Sequence, residues 1–239
     1  MIDIHPPQHA PMTRRDFFVH LGIVILGILI AIGLEQAVEA LHHAHERRAL
    51  IENFRQECAD NLKVLKPDLD IDRQNIAAAN ASLDILRNAT PHGGYITVTM
   101  PPKPVCCMQA PSRSVWSVAK SSGKVELLPE NLAEVFDRVD NEGAHFNDLV
   151  QTNVAAQQRI RSFTRRVGSP LNTGQTIRLT LAQRDEAASL IDNLLVQREQ
   201  FRIWLAVWQG ACQSVLDGVQ TREAMDRYVQ GAGVASQQP

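Results

Sequence analysis

The residues best placed to do chemistry cluster just beyond a long apolar run: Glu35, Glu39, His42, His43, His45 and Glu46. On a helix, Glu39, His42 and Glu46 are three and four positions apart and share one face. Glu39 and His42 also have the Glu-x-x-His spacing of carboxylate-bridged di-iron sites in helical bundles. Such a site needs further ligands from partner helices, for which the later chain offers Glu134, Asp137, His145, Glu186, Asp192 and Glu199. The competing expectation is a polar collar that holds a helix end in the headgroup region of a membrane. It requires no metal, and the collar is the simpler reading.

Cysteines supply the second chemistry. Cys58 and Cys212 sit on apolar stripes, as buried thiols acting as small hydrophobes do. Cys106 and Cys107 are adjacent in a proline-rich stretch. An oxidising compartment permits disulfides among the four, with three pairings open if all are used. Adjacent cysteines rarely bond each other, because the bridge needs a defined torsion and separation.

These groups are positioned by residues 17–34, which read FFVHLGIVILGILIAIGL with no formal charge. At about 1.5 Å per residue, such a helix nearly matches the thickness of a bilayer's hydrocarbon core. It is apolar on every face, unlike the surface helix of a soluble protein. The expectation is a transmembrane helix over 17–40, after a disordered lead over 1–16. Thr13-Arg14-Arg15-Asp16-Phe17-Phe18 resembles a twin-arginine export signal, although two anchoring cations at a membrane edge are the first account of the pair. The apolar run exceeds the usual core of a cleaved signal, which favours an uncleaved anchor. Arg14 and Arg15 abut the span, whereas Arg47 and Arg48 lie a dozen residues past it. The expected orientation therefore places the N-terminus inside and the body in a bacterial periplasm. Gly27 and Ala31 form a small-xxx-small pair, a helix-contact candidate for a homodimer in lipid.

The helix continues out of the membrane: Leu34, Val38, Leu41 and Ala44 keep helical spacing, and Ile51, Phe54, Cys58, Leu62, Leu65 and Leu69 continue the stripe. Pro67 is expected to kink or break this helix near Lys66, with a second segment running to about Asn88. Residues 90–113 carry prolines and glycines and form an irregular loop with one short extended piece over 95–100. Ser114 to Lys120 suits a short helix bearing Trp116. A helical hairpin is expected over 129–229, with Thr180 and Gln183 as a capping box. Asn153 and Gln157 interrupt its apolar row, either fixing register or facing water. Trp204 and Trp208, four apart, are core residues or the shelf of a ligand-sensing site. Residues 231–239 form a disordered tail.

The fold class is thus all-α: a transmembrane helix continuing into an elongated three- to four-helix bundle over 41–230, with one proline-rich loop. Aromatics are only 5% of the 239 residues, a composition that suits helices better than a β-sandwich. A formal charge of −2 gives no electrostatic case for nucleic acid. No nucleotide-binding loop, dinucleotide fingerprint, serine-hydrolase elbow or HExxH motif is present, and no cofactor is implied.

The segments RRDFF, LGILIAIGLEQAVEALHHAHERR and VWSVAKSSGKVELLP resemble a loose group of bacterial single-pass membrane proteins with no assigned function. The matching positions are Glu35, Gln36, His42, His43, Trp116, Ala119, Ser122 and Gly123. The resemblance implies a membrane-tethered helical protein and brings no catalytic residue. The expected function is a non-enzymatic interaction or scaffold module, with the lipid bilayer and a homodimer or membrane-protein partner as its contacts. The alternatives are a metal protein using Glu39, His42 and Glu46, and a ligand sensor.

Overall fold

The computed structural model describes residues 14–101, 110–168 and 174–236, with side chains described except at 66–68 and 232–236. The chain is all-α in class, and its order is α1 (Arg14–Asn88), β1 (Tyr95–Thr99), α2 (Ser114–Ser121), a 3-10 turn (Lys124–Leu127), α3 (Glu130–Val167), β2 (Thr176–Thr180), α4 (Leu181–Leu216) and α5 (Arg222–Ser236). It divides into two compact units, one ending at Ala49 and the other beginning at Leu50, so α1 contributes to both.

In the first unit, the stretch expected to span a membrane is one helix long and apolar enough to do so. Its mean hydropathy is 2.7 over its most apolar window, none of which is buried. Phe17 to Leu34 expose large apolar side chains by 41% to 67% each. Gly27 and Ala31 are exposed with them.

In the second unit, residues 50–88 of α1 join α3 and α4. The ion pairs Asp72–Arg198 and Arg87–Asp192 run this part of α1 antiparallel to α4. Contacts of Phe146 with Phe201 and Arg166 with Glu186 make α3 and α4 antiparallel as well. Two apolar clusters result. One gathers Phe54, Leu65, Trp116, Phe136, Phe146, Phe201 and Trp208, with Met225 and Val229 of α5 docked on it. The other gathers Leu83, Leu86, Phe163 and Ile191 with both strands. Between them, on all three helices, falls a polar layer: Asp72 and Asn75 of α1, Asn153 of α3 and Arg198 of α4, none more than 4% exposed. The carboxamide oxygens of Asn75 and Asn153 have no protein partner among the described residues. Asn153 thus faces inward, and Gln157 is half-buried.

Four expectations are corrected. First, the backbone stays helical through Pro67. Proline removes one donor and crowds the preceding turn, but buried Leu65 and ion-paired Asp72 anchor the turns on either side. Second, residues 176–180, which fall at the turn of the hairpin expected over 129–229, form β2, which pairs antiparallel with β1 from Tyr95↔Thr180 to Thr99↔Thr176. Ile96, Val98, Ile177 and Leu179 point inward, and Arg178 lies over the Tyr95 ring at 4.1 Å. Third, the last long helix is two. It ends at Leu216, and Gly218 at φ 79° reverses the chain into α5, a conformation cheap only for glycine. Fourth, helix continues to Ser236, past the expected start of the tail. Other expectations hold. Thr180 and Gln183 form the capping box at the start of α4, and 114–121 is helical with Trp116 buried. Of the lead expected over 1–16, positions 14–16 are already helical, whereas 1–13, Cys106 and Cys107 in the loop, and the tail end 237–239 lie outside the described residues.

Candidate functional site

The juxtamembrane cluster does not come together as a metal site. His42 Nε2 lies 3.7 Å from Glu46, and His43 Nε2 lies 4.0 Å from Glu39. Each is a neighbour along one helix, so Glu39 and Glu46 engage different histidines. A second Glu-x-x-His does occur in α3, at Glu142 and His145, and sequence reading passed over it. There Glu142 is buried against Arg138 at 2.9 Å, and the His145 ring meets Trp204 edge-on at 4.2 Å. Among the described residues no three His, Cys, Asp or Glu side chains converge as metal ligands. Trp208 is no open shelf either, being 1% exposed and stacked on Phe146 at 5.7 Å.

A different constellation is the densest on the chain, and it is built around α2. Glu57 and Asn61, one helical turn apart on α1, hold the start of α2. One Glu57 oxygen accepts from the Ser112 hydroxyl at 2.6 Å, the Ser114 backbone N–H at 2.8 Å and the Ser114 hydroxyl at 2.9 Å. The Val115 N–H also points at this carboxylate, 3.3 Å away. A carboxylate at a helix N-terminus satisfies orphan donors and complements the helix dipole. Asn61 grips the Ser112 backbone twice, donating to its carbonyl and accepting from its N–H, both at 2.8 Å.

The rest of α2 is fastened to α3. Trp116 Nε1 donates to Asp137 at 3.2 Å. Its ring meets both Phe54 and Phe136 edge-on, and those two rings stack on each other at 4.1 Å. Asp140, 3% exposed, receives Arg113 Nε at 2.8 Å and Lys120 Nζ at 2.7 Å. Gly143 on α3 opens the space this needs. A Cβ there would lie 3.1 Å from Trp208 Nε1 and 3.3 Å from Arg113 Cδ. Ala119 is buried, and Gly123 at φ 73° ends the element. Trp116, Ala119 and Gly123, singled out in the sequence by resemblance, thus belong to a structural latch.

Burial alone would push the Asp140 carboxyl up, but the hydrogen bonds and charges of Arg113 and Lys120 outweigh it and hold it below the ordinary 3.8. A carboxyl lowered in the fold contributes stability that is complete above its unfolded pKa and lost as pH falls through the folded one. Asp140→Asn should therefore destabilise by about 1–3 kcal/mol at neutral pH. The deficit against the parent should close below pH 3.8, checked by urea melts at several pH values.

Beneath the latch, Cys58 and Cys212 line one small cleft with Asn61, Arg113, Trp116 and Asp140. Both thiols are free and buried. The Cys212 thiol is held well above its ordinary pKa, first by its hydrogen bond with Cys58 and then by burial. Sequence reading placed both cysteines on apolar stripes. It did not foresee the latch, whose one local signal is the Glu57–Asn61 spacing on a face otherwise read as apolar. No protein-family model, curated protein or solved structure matches the chain.

Proposed function

We propose that the chain is a single-pass protein of the bacterial inner membrane. Its N-terminus is inside, and its periplasmic body works by contact with another protein rather than by turnover. The observation that carries this reading is the uncovered apolar surface of residues 17–34, which water would not tolerate and lipid would. Two features support the non-enzymatic role. The charged side chains around the latch are spent on internal bonds, with Glu57 on α2 and Asp140 on Arg113 and Lys120. The apolar surface likewise continues past residue 34 in Val38 and Leu41, 67% and 73% exposed, which suits packing against a second helix.

Fusions of alkaline phosphatase and a cytoplasm-dependent fluorescent protein to the C-terminus test the sidedness. Phosphatase activity without fluorescence is expected, and the reverse pattern would refute the orientation. Cross-linking in intact cells tests the mode of action. A defined adduct, either a dimer or a membrane-protein partner, is expected. Monomer alone at every linker length would remove the contact role.

A further inference from the structure

We propose that Cys58 and Cys212 form a redox-active pair that closes to a disulfide between α1 and α4 by thiol–disulfide exchange. The two residues are 154 positions apart in sequence, yet both line one small cleft and belong to one apolar cluster, where Cys58 perturbs the Cys212 thiol. They are 2% and 0% exposed. The rings of Phe54, Trp116 and Trp208 form one part of the cleft wall, and Glu57, Asn61 and Arg113 form a polar part.

The exchange balances with an oxidant that is itself a disulfide, such as a thiol oxidoreductase or oxidised glutathione. Cys58 keeps the greater exposure, 2% against 0% for Cys212. The Cys58 thiolate therefore attacks one oxidant sulfur, forming a mixed disulfide and breaking the oxidant's S–S bond. Cys212, on losing its proton, then attacks the Cys58 sulfur and expels the second oxidant sulfur. The chain loses two electrons and two protons, and the oxidant becomes two thiols.

The latch controls entry. Ser112 and Arg113, which Glu57, Asn61 and Asp140 hold, form part of the cleft lining, so an oxidant reaches Cys58 when this segment lifts or before it docks during folding. Once formed, the bond would join the two helices next to the site where α2 is fastened.

A periplasmic body would meet such oxidants in the cell. The pairing itself is independent of compartment, so it is tested with added oxidant. Full-length chain, purified in detergent with Cys106→Ser and Cys107→Ser so that two thiols remain, is incubated with oxidised glutathione, then denatured, alkylated and digested without reductant. A peptide pair joining Cys58 to Cys212, with neither thiol alkylated, is expected. Glu57→Gln, which loosens the latch, should speed the closure several-fold. Both thiols remaining alkylatable, or glutathione adducts without the cross-link, would overturn the proposal. The same mapping on the native four-cysteine chain decides the matter if the double variant does not fold. There, bonds of Cys58 or Cys212 only to Cys106 or Cys107 would also overturn it.

Discussion

Arg198→Ala should destabilise the body by about 3–5 kcal/mol at neutral pH, because it strands a carboxylate inside the fold. Arg198 and Asp72 pair side chain to side chain at 3% and 6% side-chain exposure, between two apolar clusters. Burial pushes the Asp72 carboxyl above its ordinary value, and the Arg198 charge and hydrogen bond pull it partly back. Alanine at 198 removes that pull, so the carboxyl rises further. A carboxyl raised in the fold costs stability as pH rises through that pKa, and the cost is relieved on acidification. The electrostatic part of the deficit should therefore shrink below neutral pH, the opposite of a variant that merely loses packing. Urea midpoints at neutral and mildly acidic pH check both points. Replacing the pair together, with Asp72→Leu and Arg198→Met, should recover most of the loss. If the double variant were as unstable as Arg198→Ala alone, the layer would depend on more than charge balance.

Trp116→Ala should cost about 3–5 kcal/mol, the range for emptying a large buried aromatic site. Trp116 is 1% exposed, packed edge-on against the stacked Phe54 and Phe136, and donates to Asp137. Its removal opens a cavity where α1, α2 and α3 meet and unfastens α2. Trp204→Ala is the control. Trp204 is only half-buried and rests on His145, so its loss should cost well under half as much. Thermal melts of the two variants side by side give the comparison.

The long helices were legible in the sequence because their apolar residues recur at helical period. Thr180 and Gln183 marked the start of α4 because capping chemistry is local. Pro67 misled for a physical reason. The local cost of proline is real, but tertiary anchors at Leu65 and Asp72 exceed it, and those lie 126 residues from their partner in the case of Asp72. Thr176-Ile-Arg-Leu-Thr180 does alternate at period two, a strand signal that was present and overlooked beside the glycines before it. Gly218 escaped notice because the apolar row crosses it into α5. The latch was out of reach. Glu57 and Asn61 act on Ser112, more than fifty residues on, and no local pattern encodes that. The same holds for the polar layer. Asp72, Asn75 and Arg198 are ordinary surface residue types until three helices close over them.

The account rests on lipid being the solvent of residues 17–34, and fractionation of broken cells tests this most directly. The full-length chain should sediment with membranes, resist extraction by alkaline carbonate and high salt, and enter solution only with detergent, its mass showing the N-terminal segment intact. A chain recovered in the detergent-free supernatant, or one found shortened past residue 34, would contradict it.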